Sequence, residues 1–104
     1  MFLQEFYATY IFIIIILCIT SIEGLNKFQV ALGIGIALSI SILICLGLSK
    51  DSKAHLNPAV STAMFIKGDD FNIKQFLIFI GLQIIAAVLA FYSFKFFQTD
   101  KFKV

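Results

Sequence analysis

With 61% hydrophobic and 13% charged residues among 104, and a mean hydropathy of +1.01, the chain lies outside the range of soluble domains and belongs in a bilayer. Its net charge of +2 is carried by eight lysines with no arginine, mostly near the ends of apolar stretches where long amines reach the interface, and nothing in that pattern points to nucleic acid. Cys18 and Cys45 sit inside apolar stretches, where a thiol behaves as a small hydrophobe. No cluster has metal-ligand spacing and no nucleophile stands beside a base, so neither an enzyme, a cofactor nor a metal site is expected.

The first apolar stretch runs from about 6 to 22. It lacks a basic leader and no small-x-small cleavage site follows before Glu23, so it reads as a retained spanning helix rather than a signal peptide. The polar turn Ser21 to Lys27 then predicts a hairpin with a second span, about 28–48. Small residues recur there every four positions, on one stripe as Ala31, Gly35 and Ser39 and on its neighbour as Gly33, Ala37, Ser41 and Cys45. Such spacing lets helix backbones approach closely in lipid, which marks this span as a packing helix.

The charged segment Ser49 to Lys53 leads back into apolar sequence at Ala54. Asn57-Pro58 reads as an N-cap followed by the first helical position, since proline has no N–H to lose there and the asparagine oxygen can accept a backbone N–H, here expected from Val60. The run stops at Lys67-Gly68, a C-cap signal. A half-helix of about 57–66 spans about 15 Å, against a hydrocarbon core of about 30 Å. It therefore reaches only mid-membrane, and the irregular backbone before it has to be buried by protein or to line a cavity. Asp69 and Asp70 mark the return to the interface, and Asn72 is positioned to cap a third span, about 74–96, with its apolar centre at 76–94. Tyr7, Tyr10 and Tyr92 suit interfacial belts. The fold expected is an all-α membrane protein, one domain over 1–104, with three transmembrane helices and one re-entrant half-helix; its location is that of an integral, multi-pass membrane protein.

The run A-H-L-N-P-A-V at Ala54 to Val60 resembles the signature of the major intrinsic proteins, the aquaporins and aquaglyceroporins. Glu5-Phe6-x-x-Thr9 is similar to the opening of that family's first span, and Gln83-Ile84-Ile85-Ala86-Ala87 stands where the family commonly has Q-x-x-G-A, with Ala86 replacing a glycine. The resemblance is to the N-terminal half of such channels, which are built from two halves in inverted topology. The arginine that usually follows the second half's N-P-A has no counterpart, since the chain holds no arginine. Leu32 and Ala37 are both candidates for the second span's filter position.

Asn57 is the leading candidate for solute contact: with its oxygen engaged as a cap, its NH₂ can donate into a lumen at the positive end of the half-helix, which favours an oxygen lone pair and opposes a cation. Pro58 and Ala59 shape the turn and let two half-helices abut, and Val60, the residue after N-P-A, is grouped with them in the pore-lining motif. His55 either lines the pore through its carbonyl while its ring anchors the loop, or touches solute directly. Glu5 is either an interfacial charge near a helix start or, as the resemblance implies, an inward support of the re-entrant loop. Gln83 is either a helix–helix hydrogen bond or a loop support. These readings lead to a half-sized channel for water or small neutral solutes such as glycerol, closed by antiparallel dimerisation in the bilayer or by a second channel half. The alternative is a nonconducting, truncated or regulatory subunit that pairs with another channel.

Overall fold

In the computed structural model, residues 2–48, 52–68 and 70–98 are described. Ser49, Lys50 and Asp51 of the expected charged loop, Asp69, and the polar end 99–104 lie outside them. The described chain forms four helices, α1 Phe2–Thr20, α2 Lys27–Leu48, α3 Pro58–Lys67 and α4 Ile73–Phe97. Helices α1, α2 and α4 are long and apolar enough to cross a membrane; at 19, 22 and 25 residues they extend about 28, 33 and 37 Å. With ten residues, α3 extends about 15 Å.

Local chemistry sets most helix ends. Asn26 and Gln29 form a reciprocal cap at the start of α2, with the Asn26 Oδ1 accepting from the Gln29 N–H at 2.8 Å and the Gln29 Oε1 from the Asn26 N–H at 2.9 Å. Asn72 and Gln75 repeat the arrangement at the start of α4, so each pair satisfies two backbone donors that the first turn cannot. Gly68 closes α3 at φ 86°, in the left-handed region that glycine enters without strain, and donates to the Met64 carbonyl. Helix α1 begins earlier than the apolar pattern indicates, at Phe2, because Gln4 and Glu5 belong to the helix and Glu5 is buried within the fold.

Side-chain pairs fix the directions of the helices. Phe2 meets Phe79 edge-on at 6.0 Å, Gln83 donates to Glu5, and the Tyr10 hydroxyl donates to Ser93 Oγ at 2.7 Å. The numbers rise together on both helices, so α1 and α4 run parallel. Tyr10 thus corrects its assignment to an interfacial belt: it lies halfway along α1 and spends its hydroxyl on Ser93, because a phenol at membrane depth needs an acceptor. Helix α2 returns antiparallel to α1, close enough that a Cβ on Gly33 would stand 3.1 Å from Ile19 Cδ1.

Small side chains line much of the interior, with Ala8, Ala37, Ser41, Cys45, Ala86 and Ala90 all buried beside the larger Phe79, Gln83 and Glu5, as expected where close backbone packing has to replace the hydrophobic effect. Of the two small-residue stripes on α2, the one through Ala37, Ser41 and Cys45 packs inside the chain, while Ala31, Gly35 and Ser39 are exposed.

Candidate functional site

The segment before α3 folds onto a single carboxylate. Glu5, 1% exposed, accepts from the backbone N–H of His55 at 3.2 Å and from that of Leu56, and its Oε1 also accepts from Gln83 Nε2 at 3.2 Å. Two successive N–H groups converge on one anion because Ala54 and Leu56 adopt φ values of 54° and 61°. That region is strained for residues with a Cβ, and the charge-assisted hydrogen bonds to Glu5 hold it. A carboxylate in a low-dielectric interior is costly without such donors.

A second layer continues from Gln83. Its Nε2 also donates to Ser61 Oγ at 2.8 Å, and Ser61 Oγ lies 2.9 Å from His55 Nδ1. The Gln83 amide is oriented by Glu5, since an amide oxygen in that place would face a carboxylate. The Ser61 hydroxyl, which accepts from Gln83, thus links that amide to the His55 ring nitrogen. The ring packs edge-on against Phe71 and Phe79, with centroids 5.0 and 5.1 Å away. His55 is thus 7% exposed and held between Ser61, Phe71 and Phe79, as an anchor is.

The tip beyond this buried knot is open. Asn57, Pro58, Ala59 and Val60 are all exposed. Asn57 Oδ1 accepts from the Ala59 N–H at 2.8 Å, which corrects the expected bond from Val60. The asparagine takes φ −152° and ψ 128°, and proline's fixed φ brings the N–H of the second helical residue onto Oδ1 in an Asx-turn. Ser61 N–H bonds to the Asn57 carbonyl at 3.0 Å. Among the hydrogen bonds of the described residues, none uses the Asn57 NH₂ or the Val60 N–H. At the tip, then, two donors stand free at the positive end of a helix dipole.

A cavity of about 520 Å³ adjoins this tip, lined by Thr9, Phe12 and Ile16 of α1, by Asn57, and by Gln83 and Val88 of α4. Thr9 Oγ1 and Gln83 Oε1 are both buried and have no hydrogen-bond partner among the described residues. Of the candidate filter positions, Leu32 is exposed and Ala37 is buried at 3%. Sequence reasoning missed Ser61; its position one helical turn after Asn57 places it on the face of α3 turned to α4, and that spacing was the available signal. It also gave Thr9 no role, although Thr9 lies one turn from Glu5 on the same face of α1.

The family model described as Major intrinsic protein matches residues 1–103. Among curated proteins, Aquaporin-3 of Milnesium tardigradum is 37% identical over 71 residues, a match covering 68% of this chain and 21% of the tardigrade protein. No solved structure matches the chain significantly.

Proposed function

Since the chain belongs to the major intrinsic protein family and is an integral, multi-pass membrane protein, we propose that it is a channel for water and small neutral solutes. The match covers about a fifth of the tardigrade relative, 21% of its length, so the activity is inferred for this chain from its own site. The observation that carries the reading is Asn57: its oxygen is committed to the Ala59 N–H, which leaves its NH₂ to meet a passing oxygen. The half-helix dipole behind it favours a lone pair and disfavours cations and protons. Pro58, Ala59 and Val60 form the exposed tip with that donor, and His55, Glu5 and Gln83 support the loop that places it.

One half-helix walls one side of a path. We take the other side to come from a second copy inserted the opposite way up, so that a true two-fold axis in the membrane plane relates two equal halves. The exposed tip supports this, because polar groups facing lipid cost several kcal/mol each. The lysines support it too: Lys50, Lys53, Lys67 and Lys74 fall on one side of the predicted topology, and Lys27, Lys95, Lys101 and Lys103 on the other. Purified chain in proteoliposomes, followed by light scattering after an osmotic step, tests the reading. Water permeability above that of empty vesicles, lost in Asn57→Asp, supports it. Folded protein with no permeability would favour a nonconducting subunit that pairs with another channel.

A further inference from the structure

We propose that Lys53 is a positioning residue for Asn57: its ammonium, laid on the ring of Phe71, ties the limb of the chain that enters the half-helix to the limb that leaves it. The proposal rests on the channel reading for what Asn57 does, and adds a contact that sets where Asn57 stands. Among the described residues, Lys27, Lys67, Lys74 and Lys95 are exposed, while Lys53 is half-buried. A lysine near a span end ordinarily stretches its amine toward headgroups and water. Lys53 turns onto the protein instead, with Nζ 5.8 Å from the centroid of the Phe71 ring. At that range the negative face of an aromatic ring attracts a cation, and partial burial removes some of the water that would compete.

The exit limb presents Phe71 for this contact. The chain leaves α3 through Gly68 at φ 86° and Asp70 at φ 47°, and after that turn Phe71 is 5% exposed. Its ring meets His55 and Phe79, each at 5.0 Å, and Phe76 at 6.3 Å. His55 in turn is bonded to Glu5 through its N–H and to Ser61 through its ring. One aromatic ring therefore connects Lys53 to the buried network. The hydrogen bonds to Glu5 hold the loop at residues 55 and 56, whereas Lys53 holds it on the other side of Ala54. Ala54 sits at φ 54° between the two, a conformation that persists only where the surroundings over-determine it. With the entry limb freed, the loop that ends in Asn57 gains room to shift, and the side-chain NH₂ loses its fixed direction.

Hydrogen exchange of the loop and water permeability, measured on the full chain in bilayers, test the clasp together. Lys53→Met keeps an unbranched side chain and removes the charge, while Lys53→Arg keeps a cation for the ring. In Lys53→Met, exchange of the peptide spanning residues 52–57 should quicken about two- to fivefold, and permeability per assembled channel should fall. Lys53→Arg should restore both. Phe71 replaced by ring-fluorinated phenylalanines keeps its shape but loses its negative face step by step, so loop exchange should rise with fluorination in the parent and stay level in Lys53→Met. A folded chain whose loop exchange ignores fluorination, or in which Lys53→Arg behaves like Lys53→Met, overturns the clasp and leaves the channel reading standing. Faster exchange with unchanged permeability overturns the connection from Lys53 to Asn57. A folded parent that passes no water overturns the channel reading instead, and the response of exchange to fluorination still decides the clasp.

Discussion

Glu5 of α1 and Gln83 of α4 meet through a 3.2 Å hydrogen bond, and through that pair the two parallel spans grip the loop that ends in Asn57. Glu5 collects His55 N–H, Leu56 N–H and Gln83 Nε2, while Gln83 passes the connection on to Ser61. The half-helix is therefore clamped through the loop that enters it and through its first turn, while Asn57 to Val60 stay exposed.

Glu5→Ala should be the most damaging single change in the chain. It leaves the His55 and Leu56 N–H groups buried without an acceptor and removes what holds Ala54 and Leu56 at positive φ, a loss of about 3 kcal/mol or more. Glu5→Gln should be intermediate, because one amide oxygen replaces a carboxylate that serves three donors. Unfolding in detergent and proteoliposome permeability should fall in the order parent, Glu5→Gln, Glu5→Ala. Parent-like stability in Glu5→Ala would show that the loop is held by other contacts.

Ser61→Ala separates anchoring from permeation. It breaks the link between Gln83 Nε2 and His55 Nδ1, costing about 1–3 kcal/mol, but touches none of the exposed tip residues. Stability should drop while the solute preference of the surviving channels is unchanged. A shift in preference at constant stability would move Ser61 from the support into the path.

Much of this architecture was legible where its causes are local. Asn57-Pro58 and Lys67-Gly68 are cap signals, and the helix between them runs Pro58–Lys67; Asn72 likewise marks the start of α4. The positive φ of Ala54 and Leu56 was not legible, since it depends on a carboxylate some fifty residues away. Nor was the Tyr10–Ser93 bond, which follows from the parallel pairing of the two end spans. The A-H-L-N-P-A-V run named the neighbourhood of the site, but the choice between Ala59 and Val60 as the capped N–H follows from the backbone angles of Asn57.

Asn57→Asp should lower water and neutral-solute permeability on the order of tenfold, equivalent to about 1.4 kcal/mol in barrier height, and should admit small cations. It replaces a donor with a negative charge at the positive end of α3. Stopped-flow light scattering and ion flux from the same vesicles provide the two readings. Unchanged water flux in an assembled variant would remove Asn57 from the path.

Solute range follows from the missing arginine. With no arginine in the chain, a constriction lined by two copies would hold no guanidinium, and the expected outcome is that glycerol and urea cross along with water. Vesicles exposed to glycerol and urea gradients should shrink and then reswell. Water flux with complete exclusion of glycerol would count against a wide constriction.

The last prediction is dual topology. Orientation follows the excess of Lys and Arg in short loops and near span ends, and the predicted topology puts Lys50, Lys53, Lys67 and Lys74 opposite Lys27, Lys95, Lys101 and Lys103. Four against four leaves no excess, so insertion should occur both ways up, which supplies inverted copies for pairing from one chain. Lys27 begins α2 and Lys74 lies in the first turn of α4, at opposite ends of the bundle. In a background lacking Cys18 and Cys45, a cysteine at either position should be labelled by an impermeant reagent from both sides of the membrane, each to about half the total. Adding two lysines beside Lys27 should drive that end to one side and, by removing inverted partners, reduce both dimer and water flux. Labelling of Lys27→Cys from one side only and of Lys74→Cys from the other would mean a fixed orientation, and the facing half would then have to come from a different chain.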